Sequence, residues 1–275
     1  MFTENCIKLS KIIVEKLENN SEKLSKQFSS HNNGTSSRFF VIDELLPEEI
    51  TLDIYKNFPT LKKYQSKDTF QEKKLTFKNL NSIESLLLND ITNSFQMDNV
   101  IKVIETITNI TQLQNDPSLY AGGLSRMDYG HFLNPHIDNS HDANRKRYRR
   151  FNLLFYVTPK LKESDGGNFE LWDEKVKIPF IIPAKFNRLI VLETTKRSWH
   201  SVDPISSNIQ RCCVSNYYFS EASPESFEYY NVTSFTGRPG EKFKRFHGPI
   251  DNFFRNNFSK ATGFSRGRKN IRSSN

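Results

Sequence analysis

Apolar residues recur at four-residue steps early in the chain and crowd into short alternating runs later, and this change of period divides the sequence. Leu9, Ile13 and Leu17, then Leu24 and Phe28, form one stripe on a helix or a broken pair of helices over residues 5 to 28, and such a stripe needs a partner. The small polar run SSHNNGTSS (29–37) reads as a linker and marks a boundary. Phe39 to Ile42 favour a strand. Pro47 suits a first helical turn, with Glu48 and Glu49 at its positive end and Ile50, Ile54 and Phe58 continuing the helix. Two more helical stripes run over 82–95 (Ile83, Leu87, Ile91) and 98–108 (Val100, Val103, Ile104, Ile107), so the front half is predicted to be mostly helical.

From about Leu124 the pattern becomes that of strands. FNLLFYV, NFELW, FIIPA, RLIVLE and CCVSNYYF are rich in β-branched and aromatic residues and separated by turn signals such as Asp165-Gly166-Gly167. With no helical period between them, they predict a sandwich or barrel of antiparallel strands. After Ser220 the pattern decays, and GFSRGRKNIRSSN (263–275) is expected to be disordered.

Composition adds limits. The chain has 275 residues, enough for one large domain or two modest ones, and its 23 phenylalanines predict a core built on rings. Its formal charge of +8 invites a nucleic-acid or membrane-surface reading that only local distribution can decide. Cys6, Cys212 and Cys213 cannot make a disulfide framework, and the neighbouring pair points to opposite faces of a strand, which suggests a reducing compartment. The first twenty residues carry charges in every apolar window, so neither a signal peptide nor a span is read there, and a soluble, cytoplasmic protein is expected.

The candidate chemistry starts at NPHIDNSHD (134–142). His136 and Asp138 are two apart, so on an extended strand they leave from one face and can hold one ion; in a loop the same pair is simply solvated. His200, in SWHS after the apolar strand RLIVLE, is either a rim histidine or a third ligand. Two histidines and a carboxylate on one face of a metal leave three positions open. Eleven residues on, Arg211 lies on the next predicted strand, read as crossing back beside the one that ends near His200; it is either a surface arginine or a guanidinium behind the metal that binds a carboxylate. The conjunction of all four, in order and on separate strands, favours the chemical reading. A serine or cysteine hydrolase finds no motif, and zinc would leave Arg211 without a task.

Read together, GHFLNPHID, GGNFELW, SWHS and QRCCVS resemble the 2-oxoglutarate and iron(II)-dependent oxygenases of the prolyl-4-hydroxylase type, firmly over about 121–220, and FFVIDELLPEEI resembles the start of the same domain. The resemblance implies an α+β, mainly β fold: a double-stranded β-helix, jelly-roll-like, with flanking helices. It divides the chain into an N-terminal helical extension and linker (1–37), an oxygenase domain (38–235, core 121–220) and a basic, partly disordered C-terminal extension (236–275). It implies that His136, Asp138 and His200 bind Fe(II) and that Arg211 binds the distal carboxylate of 2-oxoglutarate. The implied reaction couples decarboxylation of 2-oxoglutarate to succinate and CO2 with hydroxylation of a C–H bond by O2, with ascorbate as a candidate helper. The tyrosine usual three residues before the motif's glycine is replaced by Met127, so Tyr129 or Tyr120 is the candidate substitute; Asn152 stands where a polar residue near the cosubstrate is common.

The substrate class stays wide: a small molecule, a saccharide or a peptide side chain. RKRYRR (145–150) either lines the entrance and favours an anionic substrate or is a solvated loop. A nucleic-acid demethylase shares the triad, but the second arginine usual on the final strand is missing. A metal-binding barrel without catalysis is the third reading. YYNVTSFTGRPGEKF, with His247 beyond it, is either a flap over the substrate or a packing segment, while Phe253, Phe254 and Phe258 suggest an apolar patch against the barrel or a partner subunit.

Overall fold

A computed structural model describes residues 2–30, 34–77, 84–120 and 122–262. The first stripe breaks at Asn19–Asn20 into α1 (Glu4–Glu18), opened by the Thr3 hydroxyl accepting the Cys6 N–H, and α2 (Ser21–Ser29). Leu9, Ile13, Leu17, Leu24 and Phe28 are all buried. They pack with α4 (Leu86–Ser94) and α5 (Asp98–Thr108) in one cluster with Phe40 and Phe151. Across the expected boundary at 29–37, whose residues 31–33 lie outside the described residues, Phe28 meets Phe151 at 5.9 Å and the Gln27 side chain accepts the Val41 N–H at 2.9 Å. Each such side chain, fully buried, contributes about 1.5–3 kcal/mol over exposure. Pro47 caps α3 (Glu48–Lys56), as its fixed φ suits. Ile83 lies outside the described residues.

The strands are β1 (Phe39–Asp43), β2 (Tyr64–Asp68), β3 (Glu72–Phe77), β4 (Gly123–Met127), β5 (Phe132–Ile137), β6 (Tyr148–Tyr156), β7 (Phe169–Trp172), β8 (Pro179–Ile182), β9 (Arg188–Glu193), β10 (His200–Val202), β11 (Arg211–Ser220) and β12 (Ser234–Phe235). Their order is β1-β9-β6-β11-β4-β3-β5-β10-β7-β8, with β2 on β3 and β12 on β5, and every pairing among the described residues is antiparallel. The sheet curls into a double-stranded β-helix. Strand alternation divides its faces: Phe151, Leu153, Phe155, Val191, Cys212 and Val214 turn out to the helices, while Tyr156, Ile190, Leu192 and Cys213 turn in to meet Phe169 and Leu171. Cys212 and Cys213 thus occupy opposite faces, and all three cysteines are free and buried.

Two expectations need correcting. The front half, expected to be mostly helical, also holds a hairpin that was not expected: β2 and β3 pair, and β3 bridges β4 and β5, joining the two halves of the curled sheet. Its sequence, YQSKD and EKKLTF, hides this because Tyr64 and Phe77 are its only fully buried members, and alternation with charged residues reads as solvated chain. In addition, the strand of Arg211 does not lie beside RLIVLE; β6 separates them, and β11 pairs with β4 and β6. After β12 comes α6 (Lys242–Thr262); residues 263–275, expected to be disordered, lie outside the described residues. No described helix is long and apolar enough to cross a membrane.

Candidate active site

β5 and β10 pair with His136 opposite His200, so the sheet itself brings the imidazoles together, ring centres 4.2 Å apart. Asp138 follows at the end of β5, and its oxygens stand 3.7 Å from His136 Nε2 and 3.5 Å from His200 Nε2. One ligand atom from each of the three lies within 4.8 Å of the others. These separations are too long for hydrogen bonds and suit ligands each about 2.0–2.2 Å from a shared ion.

Backbone carbonyls fix the tautomers. Nδ1 of His136 lies 3.0 Å from the Asn134 carbonyl oxygen, and Nδ1 of His200 lies 2.8 Å from that of Ser198. A carbonyl only accepts, so each Nδ1 carries a proton, and in the neutral ring it is Nε2 that turns a lone pair toward Asp138. Burial, with His200 beside it, lowers the His136 imidazole to about 3, so this ring is neutral near pH 7. Two lone pairs and a carboxylate facing one another form a donor set for a cation.

Supporting groups surround the three. Burial alone would raise the Asp138 carboxyl, but the Arg149 guanidinium, with the Asn152 amide, helps hold it below the ordinary carboxylate range. Asn152 Nδ2 donates to Asp138 Oδ2 at 2.6 Å, and Arg149 Nη1 stands 3.4 Å from the same atom. Arg149 is only 1% exposed and lies 3.9 Å over the Tyr217 ring. From the other side β12 pairs with β5, stacking Phe235 on His136 at 5.3 Å, while Asn231 Nδ2 donates to the Asp138 carbonyl at 2.7 Å. The segment is latched by Arg238 on buried Glu170 at 2.6 and 2.9 Å. YYNVTSFTGRPGEKF is therefore a strap built into the site.

Arg211 occupies another part of the interior. Its buried guanidinium donates to the Gly167 carbonyl at 2.5 Å and to the Tyr156 hydroxyl at 3.0 Å, and lies 3.6 Å from Met127 Sδ. Gly167 has φ +74, and a Cβ there would meet Arg211 Cδ at 2.8 Å, so glycine is needed for the approach. Among the described residues no carboxylate pairs with Arg211. A buried cation surrounded only by neutral partners is costly unless an anion joins it.

The candidates fare differently. His136, Asp138, His200 and Asn152 converge; Arg211 shares the inward face of β11 with Ser215 and Tyr217, which line the cavity beside the three. Tyr129 is 68% exposed in the turn before β5 and does not join them, whereas Tyr120 is buried and lines the cavity. The phenol beside Arg211 comes from Tyr156, which sequence reading missed. The signal was available: Asn152, Leu154 and Tyr156 share one face of β6 by alternation. The arginines of RKRYRR have internal partners, Arg145 on Ser259, Arg147 on Asp142, Arg149 on Asp138 and Arg150 on Glu193, and Arg145 and Arg149 also line the cavity. His141 and Asp142 are buried in the cavity wall, and Asp203 clamps Asn168. The cavity is about 880 Å³, with His136 and Asp138 inside and Tyr230, Phe254 and Phe258 on its walls.

Residues 122–219 match the family model described as the 2OG-Fe(II) oxygenase superfamily. No curated protein matches the chain. Among solved structures, a prolyl hydroxylase from Trichoplax adhaerens, in complex with a hypoxia inducible factor oxygen degradation domain peptide fragment, is 18% identical, with 75% of this chain and 92% of that one covered at a TM-score of 0.53. A Pseudomonas putida prolyl-4-hydroxylase is 11% identical over 76% of this chain and all (100%) of that one, at 0.49. The chain therefore carries a 2OG-Fe(II) oxygenase domain with a fold of the prolyl-hydroxylase kind. It is an enzyme of the class that uses iron(II) and 2-oxoglutarate.

Proposed function

We propose that His136, Asp138 and His200 hold the iron, that Arg211 and Tyr156 anchor the distal carboxylate of 2-oxoglutarate, and that the enzyme hydroxylates a C–H bond of a substrate seated in the cavity. The observation that carries this reading is the convergence of two imidazole Nε2 atoms and one carboxylate within 4.8 Å, with each Nδ1 held on a backbone carbonyl. When bound, iron(II) with 2-oxoglutarate and O2 supplies the oxidation, releasing succinate and CO2 and leaving one oxygen atom on the substrate.

The chain's own residues orient and shield. Asn152 and Arg149 fix the Asp138 carboxylate, and Phe235 and Phe169 hold the imidazole planes from opposite sides, Phe169 at 5.5 Å from His200. The Arg211 guanidinium supplies the charge a carboxylate needs, and the Tyr156 hydroxyl keeps that guanidinium in register. A cavity of about 880 Å³ has room for a peptide segment or a saccharide, and the peptide seen on the Trichoplax protein supports the former.

The test is anaerobic addition of Fe(II) and then 2-oxoglutarate, read by the metal-to-ligand charge-transfer absorption, followed by O2 and measurement of succinate. The wild type should show both signals, and His200→Ala neither, with its circular dichroism unchanged. Full signals from folded His200→Ala would overturn the assignment.

A further inference from the structure

Helix α6 is amphipathic with its faces reversed. Its polar face points into the protein: Asn252 both accepts the Phe235 N–H and donates to the Phe235 carbonyl, each at 2.9 Å, and Asn256 accepts the Val232 N–H at 2.7 Å. Arg245 donates to the Val176 carbonyl at 2.8 Å, and Ser259 meets the Tyr230 hydroxyl at 2.7 Å. At Gly248 the helix comes so close to the strap that a Cβ would lie 2.6 Å from the Phe235 carbonyl oxygen. The helix therefore serves as a polar brace along the edge of β12, and its position is fixed.

Its apolar face points out. Phe243, Phe246, Ile250, Phe253, Phe254 and Phe258 fall within one stripe at the 3.6-residue period and are 45–69% exposed. Scattered exposed rings need no explanation, but five phenylalanines and an isoleucine on one helix face do.

Charge says what covers them. Residues 236–275 contain ten Lys and Arg against two Asp and Glu, an excess of eight equal to the formal charge of the whole chain, +8. Residues 1–235 are left balanced. Lys242 and Lys260 border the aromatic stripe on one side by the same period, and Arg266, Arg268, Lys269 and Arg272 follow in the sequence. A second copy of the chain would bring like charge against like. A basic helix with a phenylalanine face matches a surface that is anionic outside and apolar beneath.

We propose that α6 docks this protein on an anionic lipid bilayer, lying in the interface rather than spanning it. Phe254 and Phe258 also line the cavity, so docking brings the opening of the active site to the lipid surface.

The full-length protein should co-float with vesicles of phosphatidylcholine and phosphatidylglycerol at 7:3 and not with pure phosphatidylcholine, and binding should weaken as salt rises. The triple variant Phe243→Ser, Phe246→Ser, Phe253→Ser, which spares the rings lining the cavity, should lose binding at least tenfold while keeping its thermal unfolding midpoint and its Fe(II)–2-oxoglutarate absorption. Absence of binding to the anionic vesicles at low salt would overturn the proposal. So would equal binding to neutral vesicles, or a stable dimer in light scattering that the triple variant abolishes.

Discussion

The barrel interior holds two charged sites that are opposite in design. Around Asp138 three candidate ligands face one another, with the Nδ1 of each imidazole held on a backbone carbonyl so that Nε2 is the nitrogen turned to the carboxylate. Around Arg211 a guanidinium is packed among a carbonyl, a phenol and a thioether, with no carboxylate beside it among the described residues. The first is arranged for a cation and the second for an anion. Each is costly alone, and the proposed cosubstrate, with one chelating end and one distal carboxylate, would relieve both.

The largest effect should come from emptying the cation side. His200→Ala or Asp138→Ala should remove iron binding by more than the roughly 10–100-fold that loss of a supporting residue costs, as read by metal content after gel filtration. Next is the anion side. Arg211→Gln should raise the 2-oxoglutarate requirement by about 2–5 kcal/mol, roughly thirtyfold or more, leaving iron content unchanged; if both fall together, the two sites are not separable as described. Asn152→Ala frees one side of Asp138 and should weaken iron affinity about 10–100-fold without shifting the 2-oxoglutarate midpoint of the loaded enzyme. Tyr129→Ala, at an exposed turn outside the cavity, should change neither quantity, and any shift in 2-oxoglutarate requirement would return that side chain to the site.

The His136–Asp138 pair was legible because its signal is local, the two being two residues apart; His200 joined it through its place after an apolar strand, the conjunction with Arg211 and the family resemblance. A sandwich or barrel of antiparallel strands was legible in the pattern, since β6, β9 and β11 each bury both faces, whereas the double-stranded β-helix came from the family resemblance. What stayed hidden depends on distant partners. The β2–β3 hairpin is mostly charged and is held by pairing with β4 and β5. Phe235 matters only because β12 returns to β5 a hundred residues later. Tyr156 was a strand residue like its neighbours until the register of β11 placed Arg211 near it. The aromatic stripe of α6 was visible in part as Phe253, Phe254 and Phe258, but which face the helix would bury was not, because its polar side is claimed by the strap.

The most direct measurement is anomalous diffraction at the iron edge from crystals grown anaerobically with Fe(II) and 2-oxoglutarate. The prediction is a single strong peak about 2.0–2.3 Å from His136 Nε2, His200 Nε2 and an Asp138 oxygen, with the distal carboxylate of 2-oxoglutarate on the Arg211 guanidinium. A peak elsewhere, or a carboxylate seated away from Arg211, would contradict it.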